Sequence, residues 1–177
     1  ILANAELLET KYDVHYPRGF PHADRYEGNH SVLLRTLFSN APDVRQKLSA
    51  IGLPNQQAID KFNKLTTNRL LRSFEKTSAH QLLLSAESVG HFHQRQLNEL
   101  FNWLSEFSES IVIVACLRHP VHALSSEIQQ RLKRGEELET MYADPPHYLF
   151  KNLFMRLEKA FGKENLIAYS FADAVQQ

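Results

Sequence analysis

Arg118 and Ser126 stand at a spacing that suits the binding of an anion. Arg118 directly follows the apolar run 111–117, and Ser126 comes eight residues later. The run predicts a strand buried on both faces. Pro120 stops this strand and can occupy the first turn of a new helix. That helix would offer free backbone N–H groups and a positive dipole end, while the guanidinium adds two parallel donors. These residues predict a site for a phosphate or sulfate group, carried by a nucleotide.

His30 and Glu87 are the candidates for proton transfer. His30 opens an apolar stripe of helical spacing, and Glu87 follows a second apolar run. Histidine and glutamate can both take a proton from a hydroxyl group. Structural roles remain open beside the catalytic ones, because Glu87 can cap a helix or pair with Arg118. Ser126 can likewise bond back to its own helix backbone.

Two histidine pairs, His91-x-His93 and His119-x-x-His122, raise the question of a metal. Neither pair has a clear third ligand at a supporting spacing, and zinc sites in proteins use three or four ligands. We therefore expect no metal site.

Alternating strands and helices must position these side chains. We expect strands at 13–17, 81–86, 111–117 and 165–170, and helices at 1–9, 30–38, 56–76, 94–107, 120–134 and 145–161. A polar loop covers 18–28, a short helix begins at Pro42, and an acidic linker spans 136–139. In the helix 56–76, the residues expected to face the core are Ile59, Phe62, Leu65, Leu70 and Phe74.

This alternation predicts an α/β fold with a parallel sheet and helices on both faces. In such sheets, ligands bind at the carboxyl ends of the strands. The polar residues expected along that shared edge are Ser85, Glu87, Arg118 and Ser170.

Composition sets the limits of this interpretation. With 177 residues, 43% of them hydrophobic, the chain can bury one substantial core, so we expect a single domain over 1–177. Lys+Arg and Asp+Glu both number 20, which gives no support to nucleic-acid binding or to binding along a membrane surface.

The single cysteine, Cys116, is expected to be a buried thiol. We also expect no transmembrane segment and no signal peptide.

Together these pieces resemble the sulfotransferase family, whose members transfer a sulfuryl group from 3′-phosphoadenosine 5′-phosphosulfate to a hydroxyl or amine. The likeness is greatest to the bacterial and carbohydrate-acting branches. In that family a strand ends in arginine, proline follows two residues later, and serine follows eight residues after the arginine. Arg118, Pro120 and Ser126 match this spacing. Residues 83–87, ending in Ser-x-Glu, resemble the preceding strand of the family, and residues 165–171 resemble a later one.

The resemblance implies that Arg118 and Ser126 hold the 3′-phosphate of the nucleotide co-substrate. It also implies a P-loop-type three-layer fold, with a central parallel sheet flanked by helices, and a carbohydrate or similar polyhydroxy acceptor. The chain lacks the family's Gly-rich, lysine-bearing phosphate loop, and we expect that this loop and the C-terminal cofactor-covering loop have been lost from its two ends.

Alternative functions remain open. One is a non-catalytic relative that binds a nucleotide or a protein, and another is a P-loop kinase of small molecules. The kinase would need a magnesium-binding carboxylate after a buried strand, and no aspartate fills that place beside Arg118. The bacterial cytoplasm is the expected location of the enzyme, and the Golgi lumen is the alternative.

Overall fold

The structure of the chain is a computed structural model, and it describes residues 4–18, 29–39, 48–143 and 150–172. Contacts within the chain divide it into two compact units, Ile1–Phe92 and His93–Gln177. The expectation of a single domain over 1–177 stays a prediction. In the described residues, no helix combines the length and the apolar character needed to cross a membrane.

Helices dominate the described residues. The α-helices are α1 (Ala5–Tyr12), α2 (Ser31–Phe38), α3 (Gln56–Lys76), α4 (Gln94–Ser105), α5 (Pro120–Lys133), α6 (Leu138–Ala143) and α7 (Phe150–Phe161). Two 3-10 helices span Glu87–His91 and Lys163–Asn165. The strands are β1 (Val14–His15), β2 (Gln81–Leu82), β3 (Ile113–Leu117) and β4 (Leu166–Ser170).

In the first unit, a short parallel sheet is accompanied by α2 and α3. β1 and β2 pair with Val14 opposite Gln81. The Asn55 side chain accepts a hydrogen bond from the Ala58 N–H at 2.9 Å, which satisfies a backbone donor at the start of α3. A core cluster joins α3 to the segment before it, and its buried members are Leu48, Leu53, Ile59 and Phe62.

In the second unit, a longer parallel pair is packed with helices. β3 and β4 run in register from Ile113 opposite Leu166 to Leu117 opposite Ser170. Helices α4 and α7 pack together, and the Phe101 and Phe161 rings meet edge to face with centroids 5.6 Å apart. Burial of large apolar side chains such as these supplies the main free energy of folding.

The predicted α/β class agrees with this mixture of helices and parallel strands. The described strands form two separate two-stranded sheets, with orders β1-β2 and β3-β4. Both pairs are parallel, as expected from strands that are joined through helices.

Helix α3 has the predicted bounds, but one predicted core residue was wrong. Leu65 is 45% exposed, whereas Thr66 is completely buried. Ile59, Thr66 and Leu70 share a stripe because residues four and seven apart lie on the same helix face. The helix therefore turns the threonine inward, and position on the helix outweighs side-chain hydrophobicity here.

The prediction that the strand before Arg118 is buried on both faces was also wrong. Burial alternates along β3, with Val114 54% exposed. Cys116 lies on the same face and is exposed, contrary to the expected buried thiol. A continuous apolar run does not distinguish a strand covered on both faces from one covered on a single face.

Two further regions differ from the sequence-based expectation. The expected acidic linker at 136–139 instead leads into α6, which begins at Leu138. The second strand stops at Leu82, and a 3-10 helix follows from Glu87. The expected start of a helix at Pro42, most of the loop 18–28 and the start of the helix at 145 lie outside the described residues.

Candidate functional site

Arg118 and Ser126 come together in the second unit. Helix α5 begins at Pro120, as predicted, and the His119 ring accepts from the Val121 N–H at its start. Eight residues bring Ser126 back toward the strand end, where its hydroxyl accepts from Arg118 Nη1 at 3.4 Å. This is a long and therefore weak hydrogen bond. It aligns the two side chains without using up the donors of the guanidinium.

Phe171 is the third member of this group, and sequence reasoning did not single it out. Leu117 pairs with Ser170, so the residues that follow them stand side by side at the ends of β3 and β4. The Arg118 guanidinium carbon lies 5.0 Å from the centre of the Phe171 ring. A cation at this distance over an aromatic face is attracted by the ring quadrupole. We call Arg118, Ser126 and Phe171 the guanidinium cluster.

The guanidinium cluster carries a cation that is open to solvent. In the part of the chain that the structure describes, no carboxylate forms an ion pair with Arg118. Tyr169 lies opposite Cys116 in the paired strands β3 and β4. A hydrogen bond with the Cys116 thiol raises the pKa of Tyr169, and burial adds to this rise. The exposed Arg118 guanidinium gives the cluster a local positive charge suited to an anion.

His30 lies in the first unit and is 2% exposed. Its Nδ1 accepts from the Ser85 N–H at 3.0 Å, so the proton resides on Nε2, which donates to the Pro17 carbonyl at 3.2 Å. The Tyr16 ring packs edge to face against the imidazole. Burial lowers the pKa of His30, and its two backbone hydrogen bonds oppose that effect. A catalytic role for His30 stays a prediction, and these contacts favour a structural role.

Glu87 lines a cavity of about 390 Å³ in the same unit. It begins the 3-10 helix, and that helix is tied to the start of α2 through two hydrogen bonds. The Ser88 N–H donates to Ser31 Oγ at 3.1 Å, and Ser88 Oγ donates to the Ser31 carbonyl at 3.2 Å. These bonds hold the carboxylate at the cavity wall, while its side chain remains exposed.

Other charged and apolar groups line this cavity. Arg35 lies one helical turn after Ser31 on α2, and His91 ends the 3-10 helix. An apolar wall includes Val32 and Ile51. Sequence reasoning missed Arg35, although its four-residue spacing from Ser31 places both on one helix face. From the sequence, His91 was considered only as a metal ligand. Among the described residues, no group of three or more His, Cys, Asp or Glu side chains could hold a metal ion.

The expected meeting of Glu87 and Arg118 at one sheet edge stays a prediction, since the two residues belong to different units. Within each unit, the chemistry is clear. The guanidinium cluster can bind an anion, and the cavity can hold a small polar molecule against a carboxylate. Comparison of the chain with protein-family models, with curated proteins and with solved structures found no match.

Proposed function

We propose that the chain belongs to a sulfotransferase that uses 3′-phosphoadenosine 5′-phosphosulfate and a polyhydroxy, carbohydrate-like acceptor. The observation that carries this proposal is the guanidinium cluster. It combines a guanidinium that forms no ion pair among the described residues, a hydroxyl eight residues further on that it contacts, and the first turn of a helix. This combination suits a terminal phosphate, which accepts several charge-assisted hydrogen bonds at once.

The proposed reaction is a sulfuryl transfer. The bond between sulfur and the 5′-phosphate oxygen breaks, and its electron pair stays on that oxygen, leaving adenosine 3′,5′-bisphosphate. A new bond forms between sulfur and the acceptor oxygen, whose proton passes to a general base. We assign that base to Glu87 rather than His30, because Glu87 lines a cavity whereas both His30 ring nitrogens are engaged.

The P-loop-type three-layer fold is part of this proposal. Its support is the parallel pairing in both two-stranded sheets and the helix that follows the arginine-bearing strand. The coding sequence upstream of Ile1 provides a direct test. A strand followed by a Gly-rich, lysine-bearing turn supports the fold, and any other pattern there counts against it.

Calorimetry with adenosine 3′,5′-bisphosphate tests the nucleotide site. We expect Arg118→Gln to weaken binding about ten- to hundredfold, since hydrogen bonds to charged groups contribute about 1.5–3 kcal/mol. Adenosine 5′-monophosphate should bind the wild type weakly and R118Q equally weakly, because it lacks the 3′-phosphate. Arg95→Gln is the matched control, as Arg95 is exposed and paired with Glu99 on α4.

The outcomes separate the alternatives. Equal affinity of the wild type and R118Q for adenosine 3′,5′-bisphosphate would refute the phosphate site. Binding that depends on Arg118, without sulfuryl transfer to any acceptor by a chain containing the phosphate loop, would favour the non-catalytic relative.

A further inference from the structure

The cavity beside Glu87 has the size and the polarity of a small-molecule site. Its volume of about 390 Å³ falls within the roughly 300–1,000 Å³ range of ligand pockets. Glu87, Arg35 and His91 supply the charge and the hydrogen-bonding groups, and Val32 and Ile51 supply apolar surface. Sugar-binding sites need both kinds of surface, because a sugar ring has polar hydroxyls around its rim and C–H groups on its faces.

Arg35 is the informative residue in this cavity. Its side chain is half-buried on α2, and it forms no ion pair within the described ranges. Its guanidinium has no carboxylate partner among the described residues, and its planar donors match a carboxylate or a sulfate ester. The residue is therefore ready to receive an anionic group from a ligand.

Glu87 restricts what that ligand can be. Arg35 and Glu87 line one cavity, yet they form no ion pair across it among the described residues. A ligand that fits both must place a negative group against the guanidinium and neutral hydroxyls against the carboxylate. A ligand with negative charge throughout would be repelled by Glu87, and a fully neutral one would leave Arg35 unpaired.

We infer that this cavity binds an acidic sugar, with Arg35 holding its anionic group and Glu87 facing a hydroxyl. As the identification of an acceptor, this inference rests on the proposed sulfotransferase function. The binding itself requires no nucleotide. The anionic group is a carboxylate, as in a hexuronic acid, or a sulfate ester, as in a sugar that already carries sulfate.

Binding of three monosaccharides to the whole chain tests the inference. Titrations of glucuronate, glucose 6-sulfate and glucose are followed by protein NMR or calorimetry, without nucleotide. We expect at least one of the acidic sugars to bind about tenfold or more tightly than glucose, and the tighter of the two identifies the anionic group. Equal affinity of all three for the wild type would overturn the inference.

Variants of Arg35 and Glu87 test which residue causes the preference for an acidic sugar over glucose. Arg35→Gln should abolish the preference for the acidic sugar, whereas Arg72→Gln, an exposed arginine on α3 outside the cavity lining, should keep it. Glu87→Gln should bind the acidic sugar at least as tightly as the wild type, since a negative charge has been removed, and should lose any sulfuryl transfer. Retention of the preference in R35Q, or its loss in E87Q, would overturn the assignment.

This design separates the two proposals. A chain that prefers acidic sugars but does not bind adenosine 3′,5′-bisphosphate would retain the sugar site and lose the sulfotransferase proposal. A chain that binds the nucleotide through Arg118 but does not distinguish glucuronate or glucose 6-sulfate from glucose would retain the proposed function and lose this inference.

Discussion

His30 and Ser85 are joined by two reciprocal hydrogen bonds. The Ser85 N–H donates to His30 Nδ1 at 3.0 Å, and the His30 N–H donates to the Ser85 carbonyl at 2.7 Å. One bond uses the imidazole and the other uses the backbone. They attach the start of α2 to the segment that follows β2, and this is the same segment that leads to Glu87.

The free energy of unfolding should decrease when the pH drops below about 6.5, the ordinary pKa of histidine. His30 is the reason. Burial lowers its pKa in the folded chain, so the unfolded chain binds more protons in the window below that value. The free energy of unfolding therefore decreases as the pH falls through this window. Protonation of Nδ1 would also break its bond with Ser85.

Denaturant unfolding of the wild type and His30→Asn between pH 5 and 8 measures this effect. The variant should lose part of the pH dependence. His122→Asn, at an exposed position on α5, should keep the wild-type profile. An unchanged slope in H30N would show that His30 does not control it.

Phe171→Leu should weaken the binding of adenosine 3′,5′-bisphosphate about two- to fivefold. The cation–π contact with Arg118 is exposed, and contacts of this kind contribute about 0.5–1 kcal/mol. Calorimetry compares it with Tyr142→Leu, a control at a 78% exposed ring on α6. Unchanged affinity in F171L, together with a large loss in R118Q, would show that the ring does not position the guanidinium.

Thr77→Val should destabilise the chain at neutral pH and much less in acid. The Thr77 hydroxyl donates to the Glu9 carboxylate, and this bond is the main cause of the lowered pKa of Glu9. A carboxyl group with a lowered pKa adds stability above its ordinary pKa, and that contribution is lost as the pH falls through the folded value. Urea unfolding at pH 7 and pH 3 measures the difference. An equal loss at both pH values would indicate a packing effect instead.

Leu100→Ala should lower the free energy of unfolding by about 2–5 kcal/mol, since Leu100 is 2% exposed on α4 and its truncation leaves a cavity. Leu132→Ala is the matched control. Leu132 is 46% exposed, and surface substitutions of this kind usually change stability by less than about 0.5 kcal/mol. Similar losses in the two variants would contradict the assignment of the core.

Some local elements could be read from the sequence. Helix α3 has the predicted bounds because its apolar periodicity is long. The start of α5 was predicted at Pro120, since proline is favoured in the first turn. The sequence did not predict the 3-10 helix that begins at Glu87, because so short a helix has no periodicity of its own. It did not predict the helix that begins at Leu138 either, because the acidic neighbours suggested a linker.

What the amino-acid sequence alone determined is the local chemistry, namely an arginine at a strand end, a proline at a helix start and a serine two turns further on. These follow from interactions between residues close together in the chain. The tertiary structure decided the rest. It placed Phe171 against Arg118 through the register of β3 and β4, enclosed His30 between Pro17 and Ser85, and set Arg35 in the cavity with Glu87. Strand register and burial depend on contacts between distant segments, and no local pattern encodes them.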